Sequence, residues 1–179
     1  MKNSKAAKRY ARAFFELCKE GDAFDDAYAD LSMIRQAVGD SAELAAFLKN
    51  VHLPREKRES VLAALFQTRV RPLTMDFLLF LDRKNRLPAM PQICEYFEKD
   101  YFAQKGILKV KITTATALDS GQEEAIRDRL RQRYQKDIRW ESELVPGLIG
   151  GFKIQVEDLI HDLSVQNQLQ KFKNRIMNS

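Results

Sequence analysis

The sequence predicts a mainly α-helical protein, in which an N-terminal six-helix bundle is followed by a small α+β domain. Up to residue 105, apolar residues recur every three or four positions, and glycine or proline breaks divide this stretch into six segments. From Gly106 the pattern changes to strict alternation, which is typical of half-buried strands. We therefore expect two domains, residues 1–105 and residues 106–179.

Glycines at the helix ends and polar residues at the helix beginnings define the first three helices. Tyr10 and Phe14 lie one turn apart on the apolar face of the first helix, which Gly21 ends. Asp22 and Ser41 can begin the second and third helices, because their side chains accept hydrogen bonds from unpaired backbone N–H groups.

Prolines mark the other three helices. Pro54, Pro72 and Pro91 each suit the first turn of a helix, where the missing N–H costs nothing. The fifth helix carries five consecutive apolar residues, 77–81, and so presents apolar surface in every direction. Such a helix is either buried on all sides or lines a groove for a partner's amphipathic helix.

The second domain begins with a strand and a helix. Leu108, Val110 and Ile112 alternate with polar residues, and residues 138–144 repeat this pattern in a second strand. Between the strands, the capping-box pattern that starts at Ser120 opens a helix.

The final stretch, residues 147–176, predicts a glycine turn, a strand, a short return and a closing helix. Gly150 and Gly151 suit a position where the backbone turns or approaches another backbone closely. Residues 152–156 alternate as a strand does, and Ser164 can cap the closing helix. The helix carries one apolar stripe with spacings of four, three and four, formed by Val165, Leu169, Phe172 and Ile176.

Composition and motifs exclude most catalytic and membrane-spanning classes. The two cysteines are too few for a disulfide framework, which indicates reduced thiols in a cytoplasmic setting. The longest apolar run is far shorter than the roughly 20 residues that a spanning helix needs. His52 and His161 stand alone without other metal ligands nearby in the sequence, and no nucleophile elbow or phosphate-binding loop occurs. We expect no catalytic site, no metal, no cofactor and no small-molecule substrate.

A run of basic residues offers a rival interpretation, a nucleic-acid-binding regulator. It comprises Arg127, Arg129, Arg131, Arg133 and Lys136, which can neutralise phosphates. Asp128 and Asp137 interrupt the run, and the alternate spacing winds the charges around the helix. A solvated helix surface is the favoured interpretation, and a small enzyme is a further rival without a supporting motif.

The order of residues near the C-terminus resembles the delta subunit of F-type ATP synthases, called the oligomycin-sensitivity-conferring protein in mitochondria. The matches are Pro146, Leu148, Ile149, Gly150, Gly151, Asp162, Ser164, Val165 and Leu169. The sequence departs from the family pattern at Val145, Gly147 and Leu163, and glutamines replace its usual arginines at positions 166 and 168.

The N-terminal segment is similar to the same family. It is basic and amphipathic, so a mitochondrial presequence is an alternative to a first structural helix. The resemblance favours the helix, because the following residues match the opening of bacterial delta chains: Arg9, Tyr10, Ala11, Ala13 and Phe15.

The resemblance implies a non-catalytic stator subunit that links the catalytic head to the peripheral stalk and prevents co-rotation. It implies that the helical domain binds the N-terminal helix of an alpha subunit, through Tyr10, Ala13, Phe14, Leu17, Phe77, Leu78, Phe80 and Leu81. It also implies that the α+β domain binds the C-terminal ends of the b subunits, through Phe152, Ile154, Val165, Leu169 and Phe172. The expected location is the cytoplasmic face of a bacterial inner membrane, with membrane association through the complex only and no nucleic-acid partner.

Overall fold

The computed structural model describes residues 2–157 and 159–177 of the chain. Two compact units are present, one up to Tyr101 and one from Phe102 onward. The sixth helix ends at Lys105, the last residue of the predicted first domain. The fold is mainly helical with a small sheet, as the sequence predicted.

The first unit is built from helices. A short 3-10 turn, Leu87–Ala89, precedes the sixth. The α-helices are α1 (Lys2–Glu20), α2 (Phe24–Asp40), α3 (Ala42–Lys49), α4 (Arg55–Phe66), α5 (Pro72–Arg83) and α6 (Met90–Lys105).

The helix starts confirm most of the predicted signals and correct one. The Ser41 hydroxyl accepts a hydrogen bond from the Leu44 N–H at 3.1 Å, and Pro72 occupies the first turn of α5. The prediction for Asp22 was wrong, because this residue has φ 48° and α2 begins only at Phe24. The backbone turns at Asp22 in the left-handed region, where aspartate is tolerated, and the side chain caps nothing.

Aromatic side chains fill the core of the first unit. The rings of Phe14 and Phe77 stack with centroids 4.0 Å apart and planes 9° apart. Phe97 packs against Phe14 at 5.6 Å and against Phe15 at 5.7 Å. Such pairs contribute about 0.5–1.5 kcal/mol beyond the burial of their area, so α1, α5 and α6 are held by specific ring contacts.

A buried ion pair fixes the connection between α3 and α4. The Arg58 Nε lies 2.6 Å from the Asp82 Oδ1, and both side chains are buried. Arg58 also donates through Nη1 to the carbonyl oxygens of Val51 and Leu53. Because four acceptor atoms satisfy the guanidinium, the charge is compensated, and removal of either partner would leave an unpaired buried charge.

Asp30 supports the start of α5 from α2. Its Oδ2 accepts hydrogen bonds from the Arg71 N–H at 2.9 Å and from the Thr74 hydroxyl at 2.7 Å. A carboxylate in this position satisfies an unpaired N–H and complements the positive end of the helix dipole. These two hydrogen bonds fix the start of α5 relative to α2, independently of the packing of its apolar residues.

The second unit contains a four-stranded sheet with the strand order β2-β1-β3-β4. The β1 and β2 strands are parallel, and the other neighbouring pairs are antiparallel. Its elements are β1 (Ile107–Thr114), α7 (Ser120–Tyr134), β2 (Asp137–Leu144), β3 (Phe152–Val156), β4 (Leu159–Asp162) and α8 (Val165–Met177).

Alternation along β1 divides the sheet into an apolar and a charged face. Leu108, Val110 and Ile112 are buried in the core of the unit together with Leu130 of α7. Side chains on the opposite face form cross-strand ion pairs, such as Lys109 with Glu141 at 3.0 Å. Exposed pairs of this kind contribute little stability, so the apolar face carries the packing.

Two details of the second unit differ from the sequence prediction. The capping box is formed by Asp119 and Gln122, one residue earlier than predicted, so Ser120 caps nothing. The β4 strand was not predicted at all. It has only four residues and begins with the consecutive apolar pair Leu159 and Ile160, so no alternation marks it.

The predicted close approach at the glycine pair is confirmed. Gly151 has φ +75°, and a Cβ atom built on it would lie 2.5 Å from the carbonyl oxygen of Leu163 and 3.0 Å from the Cα of Ser164. The Val165 N–H donates to the Gly150 carbonyl at 3.0 Å. Any side chain at position 151 therefore collides with backbone at the N-terminus of α8.

Both cysteines lie in the core of the first unit as free thiols. Burial raises the pKa of the Cys18 thiol to about 11 and that of the Cys94 thiol to about 12. Because the thiolate is the reactive form, both thiols are protected by burial, which blocks access, and by the raised pKa, which keeps them protonated.

We expect Cys18 and Cys94 to resist a thiol-specific disulfide reagent at pH 8 in the folded protein. Both should react at the rate of a model thiol once urea unfolds the chain, since pKa and access then return to ordinary values. The measurement is absorbance-monitored labelling with and without urea. Rapid labelling of two thiols in the folded chain would contradict the buried positions.

We expect Gly151→Ala to destabilise the second unit by about 1–3 kcal/mol, because alanine there combines an unfavourable φ with a backbone collision. Urea unfolding followed by the fluorescence of Trp140, the only tryptophan of the chain, measures this unit. Gly147→Ala is the matched control, because its Cβ would meet no atom within 4 Å. Equal stabilities of the two variants would refute the role assigned to Gly151.

Candidate functional site

The residues predicted to bind a partner on the first unit fall into two groups. Ala13 is exposed, Leu17 and Phe80 are 49% and 42% exposed, and Tyr10 is half-buried. The second group is buried inside the bundle, beneath the exposed residues: Phe14, Phe77, Leu78 and Leu81. The apolar run in α5 is therefore mostly core, and Phe80 is its exposed member.

These exposed residues border the seam between two antiparallel helices. Phe14 meets Phe77, while Tyr10, one turn earlier in α1, meets Phe80, one turn later in α5, with centroids 6.1 Å apart. We call the exposed face formed by Tyr10, Ala13, Leu17 and Phe80 the α1/α5 surface. Two of its four residues are aromatic, and the other two are aliphatic.

Cations border one end of the α1/α5 surface. The Arg9 guanidinium carbon lies 5.7 Å from the Tyr10 ring centroid, and the Lys84 Nζ lies 5.9 Å from that of Phe80. Leu73, which was not among the predicted residues, packs against the core of the first unit. It is half-buried, precedes Phe77 by one turn, and was missed because it stands outside the continuous apolar run.

The residues predicted to bind a partner on the second unit also divide. Phe152 is half-buried and Ile154 is buried, and both pack in the sheet core. On α8, by contrast, Val165 is 38% exposed, Leu169 60%, Phe172 63% and Ile176 62%. We call these last four residues the α8 stripe. It is apolar and largely uncovered.

Other apolar side chains of the second unit are exposed and were not predicted. They follow turns or belong to the short β4 strand, where no periodicity signals them: Ile149, Leu159, Ile160 and Leu163. Exposed apolar residues are ordinary when single, whereas a concentration of them marks an interaction surface.

Asp162 and Ser164 hold the N-terminus of α8. The Asp162 carboxylate accepts from the Ser164 N–H at 3.0 Å and from its hydroxyl at 2.5 Å, while the Ser164 oxygen accepts from the Asn167 N–H at 3.3 Å. Hydrogen bonds from Ser164, and then the Lys153 ammonium at 3.0 Å, lower the pKa of Asp162 to about 2. Ser164 thus acts as the predicted helix cap.

Two of the four arginines of α7, Arg127 and Arg131, form ion pairs within their own unit. Arg131 contacts Glu124 at 2.8 Å and Asp128 at 2.9 Å. Arg127 contacts Glu123 at 3.2 Å, and its guanidinium lies 5.1 Å from the Trp140 ring centroid. These contacts leave less positive charge for phosphates than the sequence run suggests, which favours a solvated, ion-paired helix.

Comparison with known sequences decides the family. The sequence profile of the ATP synthase delta (OSCP) subunit matches residues 6–176. The chain belongs to this family. It is similar to an ATP synthase subunit delta of Trichlorobacter lovleyi, with 33% identity over 96% of both chains. A second relative of the same description, from Carboxydothermus hydrogenoformans, is 31% identical over 98% of this chain and 99% of its own.

A solved structure shares the fold of this chain. The chain matches one from the cryo-EM structure of the Toxoplasma gondii mitochondrial ATP synthase hexamer, with a TM-score of 0.82 and 22% identity. The match covers 96% of this chain and 97% of that one. At this identity the likeness supports the fold, and the sequence relatives support the family.

Membership of the delta (OSCP) family makes the chain a structural subunit of an F-type ATP synthase and not a catalytic one. Within residues 2–157 and 159–177, no cluster of His, Cys, Asp and Glu side chains has the geometry to hold a metal ion. No helix in this described part is both long and apolar enough to cross a membrane.

We expect Asp162→Asn to reduce the loss of stability of the second unit in acid. The folded pKa of about 2 lies below the ordinary value of 3.8, so the carboxylate stabilises the fold above about pH 4, and this contribution disappears as the pH falls from 4 to 2. Trp140 fluorescence during thermal unfolding at several pH values measures the effect. Ser164→Ala, which removes the hydroxyl contact, should give an intermediate pH dependence.

The slope of the midpoint temperature of unfolding against pH measures the contribution of the Asp162 carboxylate. An Asp162→Asn slope that matches the unsubstituted protein between pH 4 and pH 2 would show that this carboxylate does not stabilise the start of α8.

Proposed function

We propose that this chain is the stator subunit that links the catalytic head of a bacterial ATP synthase to its peripheral stalk. In this proposal the helical bundle binds the N-terminal helix of an alpha subunit, and the α+β unit binds the C-terminal ends of the b subunits. The observation that carries the proposal is that each compact unit exposes an apolar helix surface, the α1/α5 surface on one and the α8 stripe on the other.

The proposed work of the subunit is mechanical. A rotor that turns inside the head drags the head with it, and a head free to rotate uncouples proton flow from ATP synthesis. An adaptor that grips head and stalk through separate units opposes this torque. The chain is then peripheral at the cytoplasmic face of the inner membrane and is held there through the complex.

Apolar surfaces suit an attachment that must persist under load. Affinity differences between related complexes reside mostly in the dissociation rate, and well-packed aromatic and aliphatic anchors slow dissociation most. In this proposal Tyr10 and Phe80 on one unit and Phe172 on the other would act as anchors of this kind. Because all contacts belong to one assembly, a high effective concentration reduces the affinity that each needs.

Reconstitution tests the proposal directly. Membranes stripped of the soluble sector of the synthase are mixed with purified heads, with or without this chain. We expect the chain to restore head attachment and ATP-driven proton pumping. ATP hydrolysis that stays in the supernatant, with no heads on the membrane, would overturn the stator function.

We expect Ala13→Asp to weaken binding of the chain to purified heads about 30-fold, because it places a charge on the apolar α1/α5 surface. Ala46→Asp is the matched control, since Ala46 is an exposed helical alanine on α3, and its affinity should stay within about twofold. Titration calorimetry measures the affinities, and circular dichroism verifies that both variants fold. Unchanged affinity of a folded Ala13→Asp variant would remove α1 from the binding surface.

A further inference from the structure

The α8 stripe has the spacing of a coiled-coil seam. Its four residues are separated by four, three and four positions, which is the a/d spacing of a heptad repeat with Leu169 at a and Phe172 at d. Apart from Met177 at the end of the helix, the apolar residues of α8 occupy only these positions, so the stripe is narrower than the face that a helix normally turns toward a globular core. Every member of the stripe is exposed, so the seam lacks its second helix within the described chain.

The residues beside the stripe argue against a lipid surface as its occupant. Helices that lie in a membrane interface carry many lysines and arginines on the polar face. Three of the eight polar positions of α8 are basic, and the other five are neutral amides: Gln166, Asn167, Gln168, Gln170 and Asn174. The helix therefore resembles a coiled-coil strand more than a membrane-surface helix.

Charge restricts which helix can fill the seam. Lys173 follows Phe172 and occupies the e position, next to the stripe, and residues 165–177 contain no aspartate or glutamate. Charges at e and g meet those of the partner across a seam, where opposite signs favour pairing and like signs oppose it. A second copy of α8 would bring cations against cations, whereas an acidic helix would be complementary.

We propose that α8 pairs through its stripe with an amphipathic helix of a partner protein that has acidic residues beside its own a/d seam. This inference rests on the proposed function, in which the second unit binds the stalk, and it specifies the chemistry of the bound segment. It also assigns the contact to α8 and leaves Phe152 and Ile154 in the core of the unit.

The N-terminus of α8 is prepared for such a contact. The Gly150 carbonyl accepts from the Val165 N–H, and Ser164 caps the first turn. The stripe starts at Val165, so its first residue is fixed against the glycine turn before any partner arrives. A seam anchored in this way loses less conformational freedom on binding than a free helix does.

Two synthetic helices test the proposal with the full chain. Both peptides have about four heptads with leucine at a and d, and one carries glutamate and the other lysine at e and g. We expect the glutamate peptide to bind at micromolar concentration and the lysine peptide at least tenfold more weakly. Equal binding of the two peptides, or stronger binding of the lysine peptide, would overturn the proposal.

Paired variants of the chain separate the seam from general charge. Leu169→Asp should weaken the glutamate peptide about 30-fold, and Lys173→Glu should weaken it about fivefold while improving the lysine peptide. Lys171→Glu is the matched control, because it makes the same charge change at the outward c position, and it should shift affinity less than twofold. Equal effects of Lys171→Glu and Lys173→Glu would refute a specific seam.

Other occupants give different results in the same material. Self-association of the chain in sedimentation velocity that Leu169→Asp abolishes would assign the stripe to a second copy. Binding to phosphatidylglycerol vesicles without binding to the glutamate peptide would assign it to lipid. Restored head attachment in the reconstitution, together with no peptide binding, would refute this inference alone, whereas peptide binding without head attachment would refute the stator function alone.

Discussion

The stacked rings of Phe14 and Phe77 hold α1 beside α5, and the outer surface of the bundle depends on this contact. The most apolar faces of the two helices pack against each other and against Phe97. The Phe14 ring centroid lies 4.0 Å from that of Phe77 and 5.6 Å from that of Phe97. Leu17 follows Phe14 by one turn of α1, Phe80 follows Phe77 by one turn of α5, and both remain at the surface. A shift of either helix by one turn would bury one of these side chains and expose a ring of the core, so the packing of the core determines the composition of the surface.

The second unit fixes its exposed helix by a backbone contact. Gly151 approaches the Leu163 carbonyl so closely that only hydrogen is accommodated, and α8 starts two residues later. This explains the glycine at position 151, while a Cβ atom built on Gly150 would lie 3.2 Å from the Val165 Cγ2. The direction of the helix is set at its first turn by main-chain atoms, which leaves the stripe available for a partner.

Periodicity in the sequence predicted the helices and the first three strands, but it did not show which side of each element faces the core. The spacing of Leu169 and Phe172 revealed an amphipathic helix, yet the same pattern is expected of a helix packed on its own sheet, and only the structure shows the stripe exposed. The apolar run 77–81 was likewise compatible with a fully buried helix or with a helix that lines a groove. In the structure it contains buried residues as well as the exposed Phe80. The β4 strand was invisible because four residues give no measurable period, and the exposed Leu159 and Ile160 depend on it. The partner assignments came from family resemblance, because apolar residues do not identify what covers them.

The two apolar surfaces differ enough in chemistry to discriminate between partners. The α1/α5 surface joins two helices, is rich in aromatic rings and has Arg9 and Lys84 beside those rings. The α8 stripe is a single narrow seam with a lysine at its edge and no carboxylate along the helix. A helix that fits between two others needs small residues or a wide apolar face, whereas the helix proposed to pair with α8 would need a strict heptad spacing and acidic flanks. Specificity is a difference between affinities, so an adaptor with two unlike surfaces keeps its partners from exchanging places. In the proposed function, that property is what a linker between two different structures requires, and it would follow from side-chain placement without any catalytic group.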